Sequence, residues 1–161
     1  MFRRSAVIAL FALANGAALG AQLRAPKAEL SPSVVTTRIR AGRPATIALK
    51  VTLPEKIHVQ SDKPREASFF PTALVLTPPA GVTVSATKYP PATDFVQEGQ
   101  EKPLAVFEKS FTVTVTRDLA ASVKPGELVV PGRFDYQACD DKVCYRPVKT
   151  DVQWTLTVVP S

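Results

Sequence analysis

The sequence predicts an all-β protein, an immunoglobulin-like sandwich of two packed antiparallel sheets. Residues that favour strands dominate the chain, and fifteen prolines interrupt it. No segment keeps the 3.6-residue apolar spacing of an amphipathic helix. Turn residues recur about every 8 to 12 positions, which gives the seven or eight short strands typical of such a sandwich. A closed barrel is the alternative that this pattern leaves open.

The predicted strands follow one another with turn-forming residues between them. The strand over residues 45–53 is the most regular, because every second residue from Ile47 to Leu53 is apolar and these side chains share one face. Turns rich in glycine and proline occur at 41–44, 78–81 and 124–126. The eight predicted strands are 34–40, 45–53, 57–60, 72–77, 82–88, 105–116, 127–139 and 152–159. The irregular stretches 61–71 and 89–103 are long enough to carry function.

Residues 1–21 are predicted to be an export signal peptide. Arg3 and Arg4 precede an apolar run over residues 6–13, and small residues continue to Ala21. The run is too short to cross about 30 Å of hydrocarbon. We therefore expect residues 22–161 to form a single domain that lies outside the cytoplasm and does not itself span the membrane.

Charge and residue counts exclude several functional classes. Loss of the signal lowers the formal net charge from +6 to +4, and the remaining basic residues lie among acidic ones, so nucleic-acid binding is not expected. His58 is the only histidine, and it is expected to face solvent or to be a core polar group. Because the partners for a zinc or copper site are missing, we expect no metal and no other cofactor. No motif for a hydrolytic nucleophile and its base surrounds His58.

Cys139 and Cys144 are the only cysteines, and they lie at the tip of a predicted hairpin. A disulfide across so short a loop stabilises a protein by roughly 2 kcal/mol, against about 4.7 kcal/mol for a hundred-residue loop. The pair therefore indicates chemistry, although an inert bridge is also compatible with an oxidising compartment. Thiol exchange needs two thiols close enough to bridge and one exposed sulfur, which a tight hairpin supplies. Acidic and basic neighbours act on a thiolate in opposite directions, so no pKa direction is predicted.

The run from Tyr136 to Pro147 resembles the active-site hairpin of the N-terminal periplasmic domain of the DsbD thiol:disulfide interchange proteins. Residues 57–64, 70–72 and 88–90 are similar to other characteristic sequence segments of that family. The resemblance covers nearly the whole predicted mature chain. Full-length members continue into a membrane-embedded electron carrier and a thioredoxin-like domain, whereas this sequence stops at Ser161, so we expect a free-standing version. The spacing between the cysteines is one residue shorter than in well-known members.

The resemblance implies a relay that receives electrons from thioredoxin-like exported proteins or a membrane electron carrier and passes them on. Pathways of this kind include disulfide isomerisation, cytochrome c biogenesis and the rescue of oxidised thiols. By position in the motif, Cys144 would form the mixed disulfide with a partner and Cys139 would resolve it. The first competing hypothesis is a non-catalytic immunoglobulin-like binding or structural module of the cell envelope, stapled by its disulfide. The second is metal delivery, which the metal content of the purified protein would test.

Aromatic residues complete the predicted site. In that family a flexible cap loop carrying an aromatic covers the cysteines until a partner docks, and Phe69 or Phe70 in the loop 61–71 is the matching candidate. Tyr136 and Tyr145 flank the cysteines and are predicted to shape the docking surface. Core packing is the alternative for both phenylalanines and for Tyr136.

Overall fold

The computed structural model describes residues 24–160, which form twelve strands; the predicted signal peptide lies outside them. In chain order the strands are β1 Glu29–Val34, β2 Ile39–Arg40, β3 Pro44–Thr52, β4 His58–Gln60, β5 Ala73–Leu76, β6 Val82–Lys88, β7 Thr93–Phe95, β8 Leu104–Glu108, β9 Ser110–Leu119, β10 Gly126–Tyr136, β11 Ala138–Cys139 and β12 Val148–Val159.

Two four-stranded sheets form the sandwich, with strand orders β1-β3-β9-β6 and β2-β12-β10-β5. Their pairings are antiparallel except for β2, which lies parallel to β12. The longest ladder runs from Gly126 opposite Val158 to Tyr136 opposite Val148. The fold is an immunoglobulin-like β-sandwich, so the predicted fold class is confirmed.

The core lies between these two sheets. Ile47, Leu49 and Val51 are completely buried and Leu53 nearly so, as the alternation along this strand predicts. Every second side chain of β9, in the same sheet, is also buried in the core, and apolar side chains of β10 and β12 pack against them from the facing sheet. The indole N–H of Trp154 donates to the carbonyl oxygen of Ala48 at 2.9 Å, which ties β12 to β3 across the core.

A third, smaller sheet has the order β11-β4-β8-β7 and strands of two to five residues. It is joined to the sandwich where β10 passes through Gln137 into β11, and where β8 passes through Lys109 into β9. The cysteines lie in this small sheet, so the sandwich serves as the support on which it is held.

Four sequence predictions need correction. The predicted strand 127–139 is two strands, since β10 ends at Tyr136 in the sandwich and β11 begins at Ala138 in the small sheet. The predicted strand 105–116 is two strands, because Lys109 adopts a φ of 56° and redirects the chain from the small sheet to the sandwich. The predicted strand 34–40 is interrupted, because the N–H groups of Val35 and Thr36 both donate to the carbonyl oxygen of Thr46. Strand β7 lies in the stretch 89–103 that was expected to be irregular, and its pairing with β8 defines it.

Candidate functional site

The two cysteines meet at the end of the small sheet. Cys139 is the last residue of β11, and Cys144 forms an isolated antiparallel bridge with it. Their sulfurs are joined in a disulfide, with the Cα atoms 4.0 Å apart. The backbone N–H of Tyr145 donates to the carbonyl oxygen of Ala138 at 2.8 Å, which continues the pairing beyond the cysteines. The hairpin geometry expected from the five-residue spacing is thus present.

Asp140 holds the hairpin tip. Its Oδ1 accepts hydrogen bonds from the backbone N–H groups of Val143 and Lys142, both at 2.8 Å, and its Oδ2 accepts one from the Tyr145 hydroxyl at 2.9 Å. These hydrogen bonds lower the pKa of Asp140, and the two from the backbone N–H groups of Val143 and Lys142 have the largest effect. The bond to Asp140 raises the pKa of Tyr145. The ionised carboxylate therefore organises the four residues that bring the two sulfurs together.

The two cysteines differ sharply in exposure. Cys139 has no exposed surface, whereas Cys144 is exposed. An incoming thiolate must reach a disulfide sulfur, so exposure decides which sulfur can be attacked. This geometry makes Cys144 the accessible sulfur and Cys139 the protected one.

A buried polar group lies beside Cys139. His58 is directly opposite Cys139 in β11 and opposite Glu108 in β8, and paired residues of antiparallel strands project side chains to the same face. His58 and Gln60 are each 1% exposed. Within residues 24–160, the Nε2 atom of His58 and both side-chain polar atoms of Gln60 have no hydrogen-bond partner. Burial lowers the pKa of His58, while Glu108 and Asp140 act in the opposite direction.

Phe95 lies against His58, with ring centroids 4.1 Å apart. Just after Phe95, the N–H of Glu98 donates to the carbonyl oxygen of Asp141 in the hairpin tip at 3.3 Å. Beside these residues opens a cavity of about 600 Å³ that includes His58, Phe95 and Asp141 in its lining. The segment beginning at β7 is therefore in contact with the cysteine hairpin on one side of this cavity.

No group of three or more histidine, cysteine or acidic side chains in residues 24–160 lies close enough to hold a metal ion. The same range contains no helix long and apolar enough to cross a membrane.

Comparison with known proteins identifies the family. The family model described as "Thiol:disulfide interchange protein DsbD, N-terminal" matches residues 26–156. The chain belongs to this family. As a DsbD N-terminal domain it is a thiol:disulfide interchange domain, which confirms the resemblance noted in the sequence and the coarse functional class.

A solved structure supports the fold of this DsbD N-terminal domain independently. The N-terminal periplasmic domain of ScsB from Proteus mirabilis is similar to it with a TM-score of 0.54 and 16% sequence identity. The match covers 81% of this chain and 46% of that chain, so this protein spans less than half of that structure. A search of curated proteins found no match.

The structure separates the four aromatic candidates. Tyr136 is 1% exposed, and its hydroxyl accepts a hydrogen bond from the Ala28 N–H at 2.9 Å. The prediction that it shapes a docking surface is therefore wrong, because its ring fills the core. Tyr145 is half-buried in the hairpin itself.

Phe69 and Phe70 are half-buried in the loop 61–71. Among the described residues, neither ring stacks on another aromatic ring or belongs to the core cluster. The aromatic that the structure brings to the buried face beside Cys139 is Phe95. The role of Phe69 or Phe70 as a cap over the cysteines stays a prediction, and Phe95 is a second candidate for that role.

His58 and Phe95 are the site residues that sequence reasoning missed. His58 lies in the stretch 57–64 that is similar to the DsbD family, but its apposition to Cys139 depends on the register of β4 against β11. Phe95 lies in a short strand that no periodicity marks. The similarity of residues 57–64 to the family was the one signal in the sequence that could have pointed to His58.

Proposed function

We propose that this DsbD N-terminal domain is an electron relay of the periplasm, in which Cys139 and Cys144 alternate between disulfide and dithiol. A thioredoxin-like exported protein or a membrane electron carrier would supply two electrons. Oxidised exported proteins of the thioredoxin-like class would receive them. The predicted export signal is the basis for the compartment, since an exported disulfide meets an oxidising environment unless a reductant is supplied.

The unequal exposure of the two sulfurs carries this proposal. A partner's thiolate attacks Cys144, the Cys139–Cys144 bond breaks, and Cys139 leaves as a thiolate that takes up a proton. The partner's second thiol then breaks the mixed disulfide, which leaves two thiols here and a disulfide on the partner. In the opposite direction the Cys144 thiolate attacks the disulfide of an oxidised acceptor to form a mixed disulfide, and Cys139 then displaces the acceptor, now reduced, from Cys144. A single exposed sulfur suits this sequence, because all exchange with partners passes through one atom.

A redox titration separates the relay from the stapled module. Structural disulfides resist reduction with potentials below about −300 mV, whereas exchange-active ones titrate above that value. We expect the Cys139–Cys144 pair to titrate above it, measured by thiol alkylation in glutathione or dithiothreitol buffers. A potential below about −300 mV would favour the structural module.

Single-cysteine variants test the assignment of roles. Cys139→Ala leaves the exposed Cys144 and should trap a stable mixed disulfide with a thioredoxin-like protein carrying one cysteine. Cys144→Ala leaves the buried Cys139 and should trap little. Non-reducing electrophoresis measures both, and equal trapping by the two variants would contradict the assignment.

A cap over the disulfide is part of this proposal, with Phe69 or Phe70 as the first candidates and Phe95 as a second, because the Phe95 ring lies on His58 and its segment contacts Asp141. Among Phe69→Ala, Phe70→Ala and Phe95→Ala, the variant that removes the cap should speed oxidation of the reduced protein by hydrogen peroxide while leaving the fold intact. An unchanged rate of oxidation in all three variants would contradict a cap formed by these aromatic rings.

A further inference from the structure

The buried face beside Cys139 contains a histidine that structural stability does not explain. Its Nε2 atom is buried and has no hydrogen-bond partner within the described chain. Burying a polar atom without a hydrogen-bond partner is unfavourable, so native proteins seldom do so without a functional reason. His58 lies directly opposite Cys139, and the Cβ atoms of such pairs lie about 4.5–5.5 Å apart. This closeness to a reactive cysteine is a functional reason for burying the imidazole.

The chemistry at Cys139 requires a proton acceptor. Cys139 is completely buried, and burial disfavours the charged thiolate that must attack. Asp140 follows Cys139 directly and is ionised, which disfavours a second negative charge beside it. Water reaches Cys139 poorly, so the proton needs a neighbouring group. An imidazole can accept it when neutral.

We propose that His58 is the general base that accepts the proton of the Cys139 thiol during resolution of the mixed disulfide, a role that rests on the proposed relay. Cys139 loses its proton to His58 and its sulfur attacks Cys144, so that the Cys139–Cys144 bond forms. The bond from Cys144 to the partner breaks, and the partner leaves as a thiolate. The imidazolium then gives its proton to that thiolate or to water. The protein loses two electrons and the partner gains them.

The surroundings of His58 suit a base at neutral pH. The Phe95 ring lies against the imidazole at a tilt of 36°, with the ring centroids 4.1 Å apart, and burial lowers the pKa of His58 from its ordinary 6.5. Carboxylates nearby act in the opposite direction and favour the imidazolium after transfer. The charged groups that face His58 or line the adjoining cavity are Glu55, Lys56, Glu108, Lys109, Asp140 and Asp141.

The test uses the reduced protein and the aromatic disulfide dithiobis(nitrobenzoic acid) under single-turnover conditions. Attack by Cys144 releases one coloured thiolate, and displacement by Cys139 releases a second. In His58→Gln and His58→Phe we expect the second phase to slow by roughly 100-fold and the first to stay unchanged. Gln60→Leu, which alters a neighbouring buried side chain without removing a base, is the control and should leave both phases unchanged.

A pH profile of the unaltered protein makes the test independent of how the variants fold. Because the neutral imidazole is the base, the rate of the second phase should rise with pH to a plateau, with the midpoint of the rise below pH 6.5, because burial lowers the pKa of His58. The His58 variants should lose this inflection. A second phase that follows hydroxide concentration alone, or equal slowing by Gln60→Leu, would overturn the role of His58. Absence of both phases would instead overturn the proposed relay.

Discussion

The sandwich and the small sheet are built on different principles. In the sandwich, β10 and β12 pair over eleven residues and the interior is almost entirely apolar. In the small sheet, β11 has two residues and β4 has three. The side chains buried there include His58 and Gln60, whose Nε2 atom and side-chain amide respectively have no hydrogen-bond partner among residues 24–160. Long ladders and apolar burial stabilise a fold, whereas unpaired buried polar atoms destabilise it.

This difference indicates a division of labour. The sandwich supplies the stability that lets the small sheet hold an accessible disulfide beside unpaired polar groups. Functional sites often keep arrangements that cost stability, provided that the surrounding structure compensates. The comparison predicts that changes in the sandwich alter folding strongly, and that changes in the small sheet alter reactivity more than folding.

The largest effect is expected for Trp154→Ala in the centre of the sandwich. Trp154 is 2% exposed and its indole N–H donates to the Ala48 carbonyl oxygen, so its removal leaves a cavity and loses this hydrogen bond. We expect the free energy of unfolding to fall by about 3–5 kcal/mol. Urea denaturation followed by circular dichroism measures this. A loss below about 1 kcal/mol would contradict the assignment of stability to the sandwich.

Arg117 tests whether unpaired buried polar atoms destabilise the fold, because it is a charged side chain inside the almost entirely apolar interior of the sandwich. It has no exposed surface, and its three guanidinium nitrogens have no hydrogen-bond partner in the described residues. Burial lowers its pKa to about 10, so it stays charged at neutral pH. We expect Arg117→Leu to raise the free energy of unfolding by about 1–3 kcal/mol. A destabilised Arg117→Leu with unchanged Arg117→Lys would show that the charge has a partner or role in the fold.

The disulfide should contribute modestly to stability, since it closes a very short loop. The double variant Cys139→Ala with Cys144→Ala should stay folded and lose about 2 kcal/mol or less. Thermal unfolding of the variant and of the oxidised protein gives the comparison. A variant that does not fold would make the hairpin a structural staple and remove the contrast between the two regions.

The smallest effect is expected at the hairpin tip and depends on pH. The pKa of Asp140 is lowered in the folded protein, so its contribution is present above its ordinary value of 3.8 and is lost as pH falls through the folded value. Asp140→Asn should remove this dependence. Amide hydrogen exchange at Lys142 and Val143, whose N–H groups bond Asp140, measures it. Equal exchange in the two proteins at every pH would count against the role of Asp140.

Much of the protein follows from local sequence. The alternation from Ile47 to Leu53 determines which face of β3 is buried, because strand geometry sends every second side chain to the same side. Turn residues and strand preferences likewise determine the all-β class. The spacing of Cys139 and Cys144 is enough to predict that they pair, because the four residues between them can form a tight turn that brings the two cysteines together.

The tertiary structure alone decided the remainder, because it depends on register and backbone direction between distant segments. Pairing of β4 with β11 places His58 opposite Cys139, although 81 positions separate them in the sequence. The left-handed conformation of Lys109 divides one apparent strand between two sheets. Burial of Tyr136 and exposure of Cys144 likewise arise from packing, which acts between segments that local patterns cannot relate.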